Sequence, residues 1–221
     1  FDELHKYGRW KGFLKGFFDT YEKQVHILVT GSSRLDVYRK GGDSLMGRYF
    51  PYRMHPFSLG EMVRQELPLS PVRPPLPVPD AEFKALWEHG GYPEPFTRRD
   101  AAFTSRWKTL RRDQLLREDV RDLTRVQELG QLETLGHLLA ERSSFQLVYS
   151  SLANEIGCGV DTIRRWILIL CSLHLGFLVR PWFANGSRSL RKEPKWFLRD
   201  WSGSADPGAR AETFVACHLL K

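Results

Sequence analysis

Cysteine is scarce. The 221 residues hold three, Cys158, Cys171 and Cys217, and no Cys-x-x-Cys pair. That argues against a disulfide framework or a thiolate zinc site and makes a reducing cytoplasm the expected compartment. No two of the seven histidines stand four residues apart, so a helical metal-binding pair is missing. No Gly-x-Ser-x-Gly elbow occurs, and no cysteine has a histidine and acid pattern near it, which leaves nucleophilic hydrolase chemistry unsupported. The longest apolar runs, "WILILCSLHLGFLV" and "VHILV", are too short or too interrupted to span a bilayer, and no membrane partner is expected. The phosphate-cradling pattern Gly-x-x-x-x-Gly-Lys-Ser/Thr is nowhere in the chain.

What is present is ample core material and positive charge. Hydrophobic residues make up 42%, enough to fill ordinary cores, and the formal charge of +7 favours an anionic partner. Residues 10–22, "WKGFLKGFFDTYE", put Trp10, Phe13, Leu14, Phe17, Phe18 and Tyr21 on one helical face. "VHILVT" (25–30) reads as a short buried strand of a parallel sheet, and "YFPYRMHPF" as another strand, which Pro51 and Pro56 either place at a sheet edge or restrict to the residues between them. Ser58 with Glu61 three residues on is a capping-box signature. "LPLSPVRPPLPVPD" breaks the chain, because its prolines remove backbone donors and favour extended structure. Beyond it lie amphipathic helices over 99–128 and 131–141.

The most informative local pattern is "SSLANEIGCGVDTIRRWILILCSLHLGFLVRPWF". Leu152, Ala153 and Ile156 point inward on a short helix that Gly157 stops, and Asp161 or a neighbour caps a second helix to about Leu173. Helix, tight turn, helix is a helix-turn-helix. Two apolar strands, "FLVRPWF" and "KWFLRD", flank a basic tip, which together describe a winged helix. Arg164, Arg165 and Trp166 would face a DNA groove, with Arg188, Arg191 and Lys192 on phosphates from the wing. Ile163, Ile167, Leu168, Leu170 and Leu173 are expected in the core, and Trp182, Trp196 and Phe197 in wing packing. The alternative is that the winged helix packs against protein, with its arginines solvated.

The opening "FDELHKYGRW" puts an acidic pair, Asp2-Glu3, after a single apolar residue. By spacing alone the pair could equally cap a helix, and Arg48 could be a solvated loop residue. The order of "FDELHKYGRWKGFLKGFFD", "LVTGSSRLDV", "MGRYFPYRMHPFSLGEM", "GGYPEP", "REDVRDL", "SLANEIGCGVDTIRRWI" and "EPKWFLRD" resembles the AAA-type ATPases of bacteria and archaea that carry the C-terminal domain of unknown function 4143. The resemblance implies that Asp2 orients magnesium through water and that Glu3 polarises the attacking water. It implies a sensor at Ser32 or Ser33 and a finger or sensor arginine at Arg48, acting on ATP and Mg2+. An arginine acting in trans would make the protein a homo-oligomer. In that family the phosphate loop precedes the acidic strand, so this sequence is expected to begin inside the ATPase domain and to be inactive alone. The tail is expected to start a nuclease-like unit, with Glu212 near a family glutamate.

The expected fold is an α/β remnant of a parallel-sheet P-loop ATPase domain (1–66), a proline-rich linker (67–80), a helical section (81–142), a winged helix-turn-helix (143–203), and the start of a further unit (204–221). The parent would hydrolyse ATP and couple nucleotide state to DNA or a protein partner. The alternatives are a winged-helix DNA-binding regulator without enzymatic activity and a protein-interaction accessory.

Overall fold

The structure is a computed structural model that describes residues 1–4, 7–31, 45, 47–64, 66, 70, 72, 74–120, 128–183 and 192–221. The chain divides into two compact units, Phe1–Met54 and His55–Lys221. The division falls ahead of the proline-rich stretch.

The first unit is built around helix α1 (Trp10–Tyr21). Its aromatic face gathers Phe13, Phe17 and Tyr21, and Phe1 meets Phe13 and Phe17 edge-on at 5.6 and 5.3 Å. Among the described residues the only ladder contact of the predicted strand 25–30 is a parallel bridge between Asp2 and Thr30. Leu28 is 74% exposed, so the expectation of a buried strand does not hold for these residues. Among the described residues the predicted strand at 49–57 likewise forms no ladder. Phe50, Tyr52 and Met54 stand in solvent, and Pro51 and Pro56 carry no N–H to donate.

The second unit is mostly helical. It contains α2 (Leu59–Val63), α3 (Asp80–His89), α4 (Pro93–Arg98) and α5 (Ala101–Gln114), the last running into a wider π-helical turn at Leu115–Asp119. Then come α6 (Leu129–Glu141), α7 (Tyr149–Ile156) and α8 (Val160–Ser172). Strands β1 (Gly176–Val179) and β2 (Lys195–Leu198) form an antiparallel pair, with Phe177 opposite Phe197 and Val179 opposite Lys195. Helix α9 (Pro207–Leu219) starts at Asp206, whose side chain accepts from Ala209 N at 2.6 Å. Ser58 and Glu61 form the expected capping box on α2.

Two apolar clusters hold this unit. The larger takes Leu116 and Val120, the inner face of α6 (Leu132, Leu135, Leu139), and the inner faces of α7, α8 and β2. The smaller joins Ala85, Leu86, Phe96, Trp201 and Phe214. Three tryptophans, Trp166, Trp196 and Trp201, are essentially fully buried. Among the described residues no helix is long and apolar enough to cross a membrane.

Candidate functional site

Asp2 and Glu3 follow Phe1 at the head of the first unit. Thr30 N donates to Phe1 O at 2.9 Å and Glu3 N to Thr30 O at 3.0 Å, which fixes the acidic pair beside the end of the 25–30 segment. Asp2 Oδ1 accepts from the Thr30 hydroxyl at 2.6 Å and from Glu3 N at 3.0 Å. Glu3 adopts φ +49°, the left-handed region that L-residues other than glycine, asparagine and aspartate seldom visit. Such strain in a turn costs about 1–3 kcal/mol and clusters at functional sites. Two carboxylates and a hydroxyl are hard oxygen donors, the kind Mg2+ takes; it commonly binds through one or two carboxylates, with water and phosphate oxygens completing its shell. The residues present therefore fit part of a Mg-nucleotide site. The sequence holds no Gly-Lys-Ser/Thr loop whose backbone could cradle the β- and γ-phosphates. Among the described residues there is no group of three or more His, Cys, Asp or Glu that could hold a metal alone.

Thr30 is the residue that sequence reasoning passed over. It is the last member of the "VHILVT" run and was readable as the polar end of that segment. Ser32 and Ser33, the sensor candidates, lie outside the described residues. Arg48 donates from Nε to Asp19 Oδ1 on α1 at 2.9 Å. Both side chains are partly exposed, so this ion pair contributes at most about 1 kcal/mol.

In the second unit, α7 ends at Gly157. Its φ of +75° lets its own N–H and that of Cys158 both return to Ala153 O, at 2.9 and 3.0 Å. The N-cap of α8 is Gly159. Asp161 lies in the first turn instead of capping it, and pairs with Arg164 at 3.4 Å. Helical spacing turns Ile163, Trp166, Ile167 and Leu170 inward. Arg164 and Arg165 are exposed. Trp166 is 0% exposed, which corrects the expectation that it faces a groove: it shares the inner stripe with Ile163 and Ile167. Its indole N–H finds no acceptor among the described residues.

Two further placements differ from expectation. Leu168 is 61% exposed because it shares the outer face with Arg164 and Arg165. Trp182, expected in packing, is 86% exposed. Lys192 is exposed, and Arg188 and Arg191 lie outside the described residues.

Tyr149 and Arg180 join this surface without having been foreseen. Arg164 lies over the Tyr149 ring at 5.3 Å. Burial raises the Tyr149 phenol above its ordinary pKa, while the charges of Arg180 and Arg164 pull the other way. Glu212, which the resemblance sets near a family glutamate, is ion-paired with Lys195.

Comparison with known proteins follows the same division. Residues 80–203 match the family described as a domain of unknown function (DUF8612). The chain belongs to the DUF8612 family. This corrects the expected domain 4143: the DUF8612 match covers the helical section and the helix-turn-helix together. Residues 1–63 match the AAA domain family, so the stretch holding Asp2, Glu3, Thr30 and Arg48 is related to AAA-type ATPases. Uncharacterized proteins of Mycobacterium tuberculosis and Mycobacterium bovis are each 26% identical over 176 residues. That alignment covers 80% of this DUF8612 chain and 36% of either relative. The chain thus spans about a third of the length of the curated relatives it matches. No solved structure matches.

Proposed function

We propose that this chain is part of an ATP-binding and ATP-hydrolysing AAA-type protein whose DUF8612 domain passes nucleotide state to DNA. The observation that carries the reading is the coincidence of the AAA match with an acidic pair held beside a polar residue of a parallel neighbour. In this reading Asp2 orients Mg2+ through water. Glu3, on its strained turn, polarises the attacking water. Thr30, with Ser32 or Ser33 after it, senses the γ-phosphate, and Arg48 stabilises developing charge after leaving Asp19. An Arg48 that serves a neighbouring copy makes the assembly a homo-oligomer. Such sites work by positioning and charge neutralisation, which needs no covalent partner from the protein. The reading requires a phosphate cradle that these residues do not themselves supply.

The DNA surface is the outer face of α8 with the β1–β2 hairpin, a winged-helix arrangement. Arg164 and Arg165 meet the groove, and Arg180, Arg188, Arg191 and Lys192 meet phosphates. A second reading, a protein partner on the same face, is favoured by the exposure of Leu168 and Trp182. Duplex binding by a longer polypeptide that includes the phosphate loop separates the two. The coupling reading expects duplex affinity to differ at least fivefold between ATP and ADP states, on the usual scale of coupling free energies. Equal duplex affinity in the two states refutes coupling to DNA, and absence of duplex binding favours the protein partner.

A further inference from the structure

We propose that residues His55–Val63 form a detachable strap on the second unit, closed by a two-histidine clasp that opens on proton uptake. The strap is held by contacts from residues distant in sequence. Phe57 N donates to Gly91 O at 2.7 Å, and Phe57 packs edge-on to Phe96 at 5.7 Å between ring centroids. Leu59 and Met62 lie against the smaller apolar cluster. Lys221 Nζ donates to Pro56 O at 3.1 Å and pairs with Glu61. The approach at Gly91 is close: a Cβ there would lie 2.6 Å from Phe57 O and 2.8 Å from the Trp201 ring.

Two of the holding contacts require neutral imidazole. His218 Nδ1 lies 2.8 Å from Phe214 O, a carbonyl that can only accept, so the proton sits on Nδ1. Its Nε2 then accepts from Leu59 N at 3.1 Å. A second proton on the ring would set N–H against N–H. The same logic holds at the other end. Arg199 Nη1 lies 2.9 Å from His55 Nδ1, and a guanidinium only donates, so His55 Nδ1 accepts. A protonated His55 would put cation against cation. A cavity of about 10 Å3, room for a single water, lies between the strap and α9, bordered by both histidines and Arg199.

Besides the two histidines, Cys217, Glu61, Lys221 and Arg199 border the clasp, and Asp200, next to Arg199 in the chain, is a buried carboxyl that burial raises above its usual value. Burial pushes the Cys217 thiol up to about 12, so it stays protonated. Burial opposes ionisation of Glu61, yet the bonds from Lys221 and Ser58 hold its carboxyl below the usual value. Burial holds His218 below its ordinary pKa, against the pull of the Phe214 carbonyl and with the help of the Lys221 charge. The docked strap is therefore fully favoured above about pH 6.5 and is progressively lost as pH falls below it. The strap follows Met54 directly in the chain. Its release frees nine residues, a tether of roughly 30 Å when extended.

Amide hydrogen exchange on the full chain between pH 5 and 7.5, corrected for intrinsic rates, tests this. Protection of the Leu59 and Phe57 amides should fall about tenfold per pH unit for each proton taken up, while the core amide of Leu135 holds steady. His218→Gln can donate to Phe214 O and accept from Leu59 N without titrating. It should keep the protection and shed the His218 share of the pH dependence. His55→Gln should do the same at Arg199, and the double variant should be flat. A flat wild-type profile overturns the proposal. So does a slope unchanged in the double variant, or Leu135 losing protection in parallel with the strap.

Discussion

Replacing each buried tryptophan by phenylalanine separates core from surface roles on one scale. Trp196 donates from its indole N–H to Leu139 O at 2.9 Å, and Trp201 to Leu86 O at 2.8 Å. The Trp166 N–H, equally buried, has no acceptor among the described residues. Every substitution removes part of a ring. A void of roughly 40 Å3 costs about 1 kcal/mol. The lost burial of roughly 40 Å2 of apolar surface costs about 1 kcal/mol more. Trp196→Phe and Trp201→Phe also lose a hydrogen bond worth about 1 kcal/mol, for a total near 3 kcal/mol. Trp166→Phe instead relieves an unsatisfied donor worth about 1–3 kcal/mol, which offsets the common loss and leaves the variant within about 1 kcal/mol of wild type. The gap of about 2–4 kcal/mol corresponds to roughly 4–16 °C in Tm for a chain of this size. Thermal and urea unfolding followed by far-UV circular dichroism reads it. A Trp166→Phe variant as destabilised as Trp196→Phe would refute the reasoning.

Arg164→Ala and Arg165→Ala should each weaken duplex binding and, where the arginine meets a phosphate, lower the slope of log affinity against log salt by about one; an unchanged affinity and slope in both variants refutes their role. Burial pushes the Tyr92 phenol up to about 12, against the opposing charge of Arg111, whose guanidinium sits 3.9 Å over its ring. A raised folded-state pKa means that its stabilisation is whole below about pH 10 and is lost as pH rises toward 12, a term of about 3 kcal/mol. Phenolate absorbance in an alkaline titration should show one tyrosine ionising last, missing from Tyr92→Phe; the same curve in both proteins contradicts the placement.

The helix-turn-helix was legible because its signals are local. Apolar residues at helical spacing, Gly157 at a left-handed turn and the Ser58–Glu61 pair each act within a few residues. The same spacing could have placed Trp166 in the core, since it lies three residues after Ile163 and four before Leu170. Basic neighbours drew the reading outward instead. The strands at 25–30 and 49–57 were over-read because β-branched and aromatic runs report fitness for a sheet and say nothing about a partner strand. Thr30 became visible only through its bridge to Asp2, 28 residues away. The clasp was beyond local pattern altogether: His55 meets Arg199 across 144 positions and Leu59 meets His218 across 159. Lone histidines at such separations carry no spacing signal.

ATP turnover of a longer polypeptide that carries a Gly-Lys-Ser/Thr loop ahead of Asp2, compared with its Glu3→Gln variant, tests the nucleotide reading most directly. Loss of the water-polarising carboxylate should cut turnover at least a hundredfold, on the scale of positioned general-base catalysis, while ATP binding is retained. Equal turnover in the two proteins would contradict the account.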